Sequence, residues 1–139
     1  MIFVAILKRT LKEGKTYEDF RRAWYHSTGF GTQNTMLTAL NAANPREIVV
    51  IALTEVSLEN ASQLLAIDAK ERAENPLTDI IESEIDRTFG LLIAEDDFSA
   101  AGALSYQPPA VHGELVDLAE VESFIAEGKS VMEYFNLQD

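Results

Sequence analysis

Residues Ile48-Val49-Val50-Ile51-Ala52-Leu53 decide the fold. Such a run, rich in β-branched side chains, favours a strand. A strand with one wet face alternates apolar and polar residues. Here Ile48, Val50 and Ala52 fall on one side and Val49, Ile51 and Leu53 on the other, so both sides call for cover. The same pattern recurs at the N-terminus, with Ile2, Val4 and Ile6 against Phe3, Ala5 and Leu7. It recurs again near residue 90, with Phe89, Leu91 and Ile93 against Leu92 and Ala94.

Between the first two of these runs lies a helix. Turn chemistry at Lys12-Glu13-Gly14-Lys15 closes a first strand over Ile2–Arg9, and Thr16 with Asp19 has the spacing of a capping box. Tyr17, Phe20, Trp24 and Thr28 share one helical stripe, and Gly29 and Gly31 mark its predicted end. Residues 34–43 form a more polar second strand, Asn44-Pro45-Arg46 a turn, and Glu47–Glu55 the third strand. Ser57 and Asn60 offer caps for a second helix whose stripe holds Ala61, Leu64, Leu65, Asp68, Ala69 and Arg72. Asn75-Pro76 breaks it, a short helix is expected over Leu77–Ile85, and Arg87–Phe98 makes a fourth strand.

The order β, α, β, β, α, β predicts an α+β, ferredoxin-like domain over residues 1–98, with both helices on one face of a four-stranded antiparallel sheet. Residues 99–139 read as a C-terminal extension. Ser99–Gly113, with Pro108-Pro109, is loop-like. Asp117 and Glu120 cap a helix carrying Leu118, Val121 and Ile125. Gly128 interrupts before another helical segment over Val131–Leu137.

Two crossover helices cover one face of such a sheet. Burial of a Val, Leu or Ile side chain is worth about 1.5–3 kcal/mol, so a whole wet apolar face would cost on the order of 10 kcal/mol. The expected cover is a second copy of the chain, a homodimer through the open sheet face. The C-terminal tail, packing on its own or the partner subunit, is the other candidate.

Composition narrows the function. The chain has 139 residues, 47% hydrophobic and 24% charged, which suits one globular domain. It has no cysteine, which removes thiolate nucleophiles and cysteine-ligated metal centres and fits a reducing, cytoplasmic location. A net charge of −12 argues against nucleic acid and anionic membrane as partners. No apolar run is long enough to span a bilayer. The N-terminal segment is apolar first and basic second, the reverse of a secretory leader, and reads as a strand.

The first-helix segment Thr16–Gly31, TYEDFRRAWYHSTGFG, together with the element order and the two-faced strands, resembles the dimeric α+β barrel superfamily. That group includes EthD-like proteins, antibiotic-biosynthesis-type monooxygenases and muconolactone-isomerase-like enzymes. Phe20, Arg21, Arg22, Trp24 and Gly29 match the EthD-type pattern; Thr28 stands where that pattern has histidine, and His26 is two residues out of register. The resemblance implies a dimeric barrel and a small-molecule site. The activity it suggests is that of a cofactor-independent oxygenase or isomerase acting on an apolar carbonyl or aromatic compound. A non-catalytic ligand-binding or assembly module of the same fold is the alternative.

Three residues are catalytic candidates. His26 is the residue type best suited to proton transfer near neutral pH. Helical spacing puts it roughly opposite Tyr17, on the solvent side, unless the helix ends before it. Asp68 and Arg72 are four apart on the buried stripe, where charge is costly unless paired. They form either an ion pair at the stripe's edge or a polar patch facing a cavity between helices and sheet. Tyr17, Trp24, Thr28, Asn34 and Thr38 are ligand-pocket candidates; the aromatic members could equally be core, and the polar ones could mark an edge strand. His112 lies in the tail. Glu95-Asp96-Asp97 lacks the ligand spacing of a calcium loop, and Gly29-Phe30-Gly31 lacks the lysine of a phosphate loop. No metal or cofactor is expected from these motifs.

Overall fold

The computed structural model describes residues 1–57, 59–84 and 86–127. The expected break at Gly128 and the helical segment over Val131–Leu137 lie outside the described residues. The elements are β1 (Ile2–Thr10), α1 (Tyr17–Trp24), β2 (Asn34–Asn41), β3 (Asn44–Glu55), α2 (Ala61–Glu74), β4 (Asp86–Leu91), β5 (Ala110–Val111), β6 (Glu114–Leu115) and α3 (Leu118–Glu127). The main sheet has the order β2-β3-β1-β4 with every neighbour antiparallel. This is the ferredoxin-like arrangement, with the two most apolar strands at the centre and polar β2 at an edge.

The register explains the two faces. One row across the helix side runs Met36, Ala52, Ala5, Phe89, and the row beside it runs Asn34, Thr54, Phe3, Leu91. Phe20, the apolar anchor of α1, is buried with Leu11, Ile48 and Val50, and Leu7, Trp24 and Ile80 pack around them. Phe3, Ala5 and Ala52 form a second cluster with Met36 and Phe89. The two alanines at the centre of the first row are the smallest side chains on this face. They leave room that Leu or Ile there would fill.

The opposite side carries the row Leu37, Ile51, Ile6, Thr88 and the row Thr35, Leu53, Val4, Gly90. Neither α1 nor α2 lies on this side. Val4, Ile6, Val49, Ile51 and Leu53 are partly exposed, and Leu37 is 55% exposed. At one end of this face Ile2 and, from α3, Val121 are buried. The tail residues Phe98, Tyr106 and Leu115 are well exposed.

Several boundaries differ from the sequence expectation. α1 stops at Trp24, one turn before Gly29, because Tyr25 leaves helical geometry (φ −58°, ψ 125°). The β2–β3 turn is Ala42-Ala43, not Asn44-Pro45-Arg46. Asn41 takes the Ala43 N–H on its side-chain oxygen and Asn44 takes that of Arg46, so the asparagines shape the hairpin and β3 starts early. Residues 77–84 form no helix: Ile80 and Ile81 donate to the Leu77 carbonyl in a single turn, and Ile81 bridges Leu11. β4 ends at Leu91, and Ile93 is exposed. The loop 99–113 ends in a tight hairpin whose turn residues His112 and Gly113 both have positive φ (54° and 79°). The Thr16–Asp19 capping box is present in both directions.

No helix among the described residues is long and apolar enough to cross a membrane.

Candidate functional site

The site begins with the early end of α1. A helix C-terminus leaves carbonyls without partners, and the chain leaving it has N–H groups to satisfy. Two residues in the last turn of α2 meet both needs. Arg72 donates from Nη2 to the Trp24 carbonyl at 3.0 Å and from Nη1 to the Asn75 carbonyl at 3.4 Å. Glu71 accepts on Oε1 from the Ser27 N–H (3.0 Å), the Ser27 hydroxyl (2.9 Å) and the Thr28 N–H (3.1 Å). Glu71 is only 3% exposed. The Ser27 hydroxyl, helped by the two backbone N–H groups and by His26, holds its carboxyl below the usual glutamate range against the opposing effect of burial. Burial pulls the Arg72 guanidinium below its ordinary value, and Asp68 and Glu71 oppose this. Arg72 stays cationic at any ordinary pH.

This clamp turns His26 inward. Its side chain is 13% exposed and sits between the Trp24 ring, edge-on at 5.5 Å, and the Phe30 ring at 5.3 Å. Nε2 is buried without a hydrogen-bond partner and lies 3.7 Å from Asp68 Oδ1. The expected solvent-facing placement of His26 is therefore corrected. The helix ends two residues before it, so the helical angle no longer applies. Asp68 directs its half-exposed carboxylate at His26 while remaining close enough to favour the Arg72 charge.

Two spaces adjoin this cluster. An open cleft of about 630 Å³ is lined by Arg21, Trp24, Tyr25, His26, Phe30 and Asn34, with Thr28, Thr32 and Met36 at its sides. Its size is that of a small-molecule site. Beside it, between α2 and the sheet, is a chamber of about 110 Å³ over the Ala5–Ala52 gap, with Asp68 and Arg87 in its wall. Phe30, Asn34 and Met36 belong to both walls and so separate the two spaces. Phe30 stands between two glycines, and Gly31 has φ 76°, a conformation other residues rarely adopt. The Asn34 side-chain oxygen is also buried without a partner. A buried polar atom left unpaired costs about 1–3 kcal/mol.

The fold thus gathers His26, Asp68 and Arg72 into one cluster, with Trp24, Thr28 and Asn34 on the cleft wall. Tyr17 packs on Phe20 (rings 6.3 Å apart), away from the cleft, and Thr38 sits beside Val50, outside both linings. Glu71 was absent from the sequence expectation. The signal was available, because it follows Leu64 by seven residues and Asp68 by three, on the stripe that is in fact buried. Ala69, assigned to that stripe, is exposed. Arg21 entered the sequence expectation only within the EthD-type pattern and Phe30 only within Gly29-Phe30-Gly31, neither as a site residue.

The remaining candidates lie elsewhere. His112 is exposed; its N–H donates to Glu95 at 3.1 Å and its ring nitrogen Nε2 stands 3.9 Å from the same carboxylate. Asp97 accepts from Ser99, whose N–H and hydroxyl hold its carboxyl below the usual range. Among the described residues no group of three or more His, Asp or Glu is placed to hold a metal ion.

No protein-family model matches the sequence, and no curated protein matches it. The fold is similar to that of a solved structure from Chloroflexus aurantiacus J-10-fl, described as a "putative Antibiotic biosynthesis monooxygenase". The TM-score is 0.53 at 11% identity, over 71% of this chain and all of that one. At that identity the likeness speaks to fold alone. The chain has a ferredoxin-like α+β fold.

Proposed function

We propose that this chain binds a small apolar carbonyl or aromatic compound in the helix-face cleft and moves a proton on it, as a cofactor-independent isomerase or oxygenase would. The observation that carries the reading is the His26–Asp68 pair, with His26 at the wall of an open cleft and Asp68 at the wall of the chamber beside it. With its proton on Nε2, toward Asp68, the imidazole keeps its lone pair on Nδ1. It can then take a proton from an acidic C–H or phenol, and the Asp68 carboxylate stabilises the imidazolium formed. Return of that proton to another carbon completes an isomerisation. Dioxygen, captured by the same carbanion, would make the reaction an oxygenation. A filled, dry interior would have favoured the non-catalytic module instead, and the two spaces weigh against that.

The test is hydrogen exchange on 2-tetralone, a flat apolar ketone with acidic C–H bonds, followed by NMR in D2O. The protein should accelerate exchange, and His26→Gln should reduce the acceleration by about 10²-fold or more. Equal rates for both proteins would contradict the role of His26.

The proposal extends to assembly and place. A second copy covers Val4, Ile6, Ile51, Leu53 and Leu37, closing the barrel. Residues 99–127 brace its rim as a separate extension of the 1–98 domain, and the cysteine-free chain works in the cytoplasm.

A further inference from the structure

We infer that the ligand of this cleft is an anion, a carboxylate on a flat apolar body, and that Arg21 is the residue that selects it. The inference rests on the cleft being a ligand site and adds the ligand's charge and its anchor. Arg21 stands at the cleft wall with its guanidinium carbon 5.0 Å from the centre of the Tyr25 ring. This cation–π contact holds the guanidinium beside the ring, and its N–H groups can grip a carboxylate with two parallel bonds. The neighbouring Arg22 is paired with Glu18 at 2.9 Å, Arg46 faces Glu82, and Arg72 is held by carbonyls. Among the described residues no carboxylate lies within ion-pair distance of Arg21.

The rest of the cleft fits the same ligand. Trp24, Phe30 and Met36 supply apolar walls for the ligand's flat body. A cationic ligand is less suited, because the Tyr25 face it would use is already occupied by Arg21. The chain's overall charge of −12 does not forbid an anion here, since salt screens distant charges beyond about 8 Å while Arg21 acts at contact.

Trp24 is the chain's only tryptophan and lines the cleft, so its fluorescence reports binding. Three probes of one shape are titrated: trans-cinnamate, cinnamamide and cinnamylamine. Cinnamate should bind the native protein about tenfold more tightly than the amide, the size of one charge-assisted bond at a partly exposed site. Arg21→Gln should erase that preference by weakening cinnamate more than cinnamamide, and a far-UV circular dichroism spectrum and melting temperature close to the native protein's would show that the variant is folded. Equal affinity for acid and amide would overturn the anion inference and leave the cleft standing. So would a preference for the amine, or a cinnamate preference that survives Arg21→Gln. No quenching by any probe at millimolar concentration would overturn both readings.

Discussion

The two faces of the central sheet are built from the same strands and serve opposite ends. On the helix face the apolar rows are interrupted by Asn34, Thr54 and Arg87, and by the small pair Ala5 and Ala52, and the clamp on α2 brings His26 and Asp68 over them. On the open face the central strands present Ile2, Val4, Ile6, Val49, Ile51 and Leu53 before polar ends. An unbroken apolar face calls for a partner of any matching shape. A broken one, with charge and space at the break, calls for chemistry. Where the polar residues fall on the register, more than how many there are, separates a surface for assembly from a site.

The contrast can be broken at several points. Phe20→Ala removes the anchor beneath α1, and urea unfolding should show a loss of about 3–5 kcal/mol. A loss under 1 kcal/mol would mean that α1 is not held by this face. Ile51→Asp puts a charge at the centre of the open face. Sedimentation at micromolar concentration should show the native protein as a dimer and the variant shifted to the 15.4 kDa monomer. A native protein that sediments only at 15.4 kDa would contradict the dimer.

Glu71→Gln probes the clamp. The native carboxyl is held below its unfolded value, so its contribution to stability is full above the ordinary glutamate range and fades as pH falls through the depressed folded value. Thermal melts should therefore show the variant less stable at neutral pH, with the gap closing in acid. A gap independent of pH would contradict the clamp. Thr16→Ala, which removes one half of the capping box at the far end of α1, should cost only about 1 kcal/mol and leave the cleft intact.

The sequence carried the fold because strand periodicity is local: Ile48–Leu53 and Ile2–Leu7 declare two covered faces without any tertiary knowledge. The Thr16–Asp19 cap is equally local. The site was only half legible. His26, Asp68 and Arg72 stood out by residue type, yet the position of His26 depends on where α1 ends, and that is set by Glu71 and Arg72 more than forty residues away. Glycine at 29 and 31 suggested a later stop, but a buried carboxylate that takes Ser27 and Thr28 outweighs it. Arg21 was legible as part of the first-helix pattern, but its place at a site, like that of Phe30, comes from the space beside it, which no local pattern encodes.

The most direct test of the central claim maps a ligand onto the two faces. Chemical-shift perturbation by trans-cinnamate should concentrate at the Trp24 indole, the His26 ring, Phe30 and Asn34, and leave Ile51 and Leu53 unmoved. Perturbations centred on Ile51, Leu53 and Leu37, with His26 and Phe30 silent, would contradict the assignment of the helix face as the site.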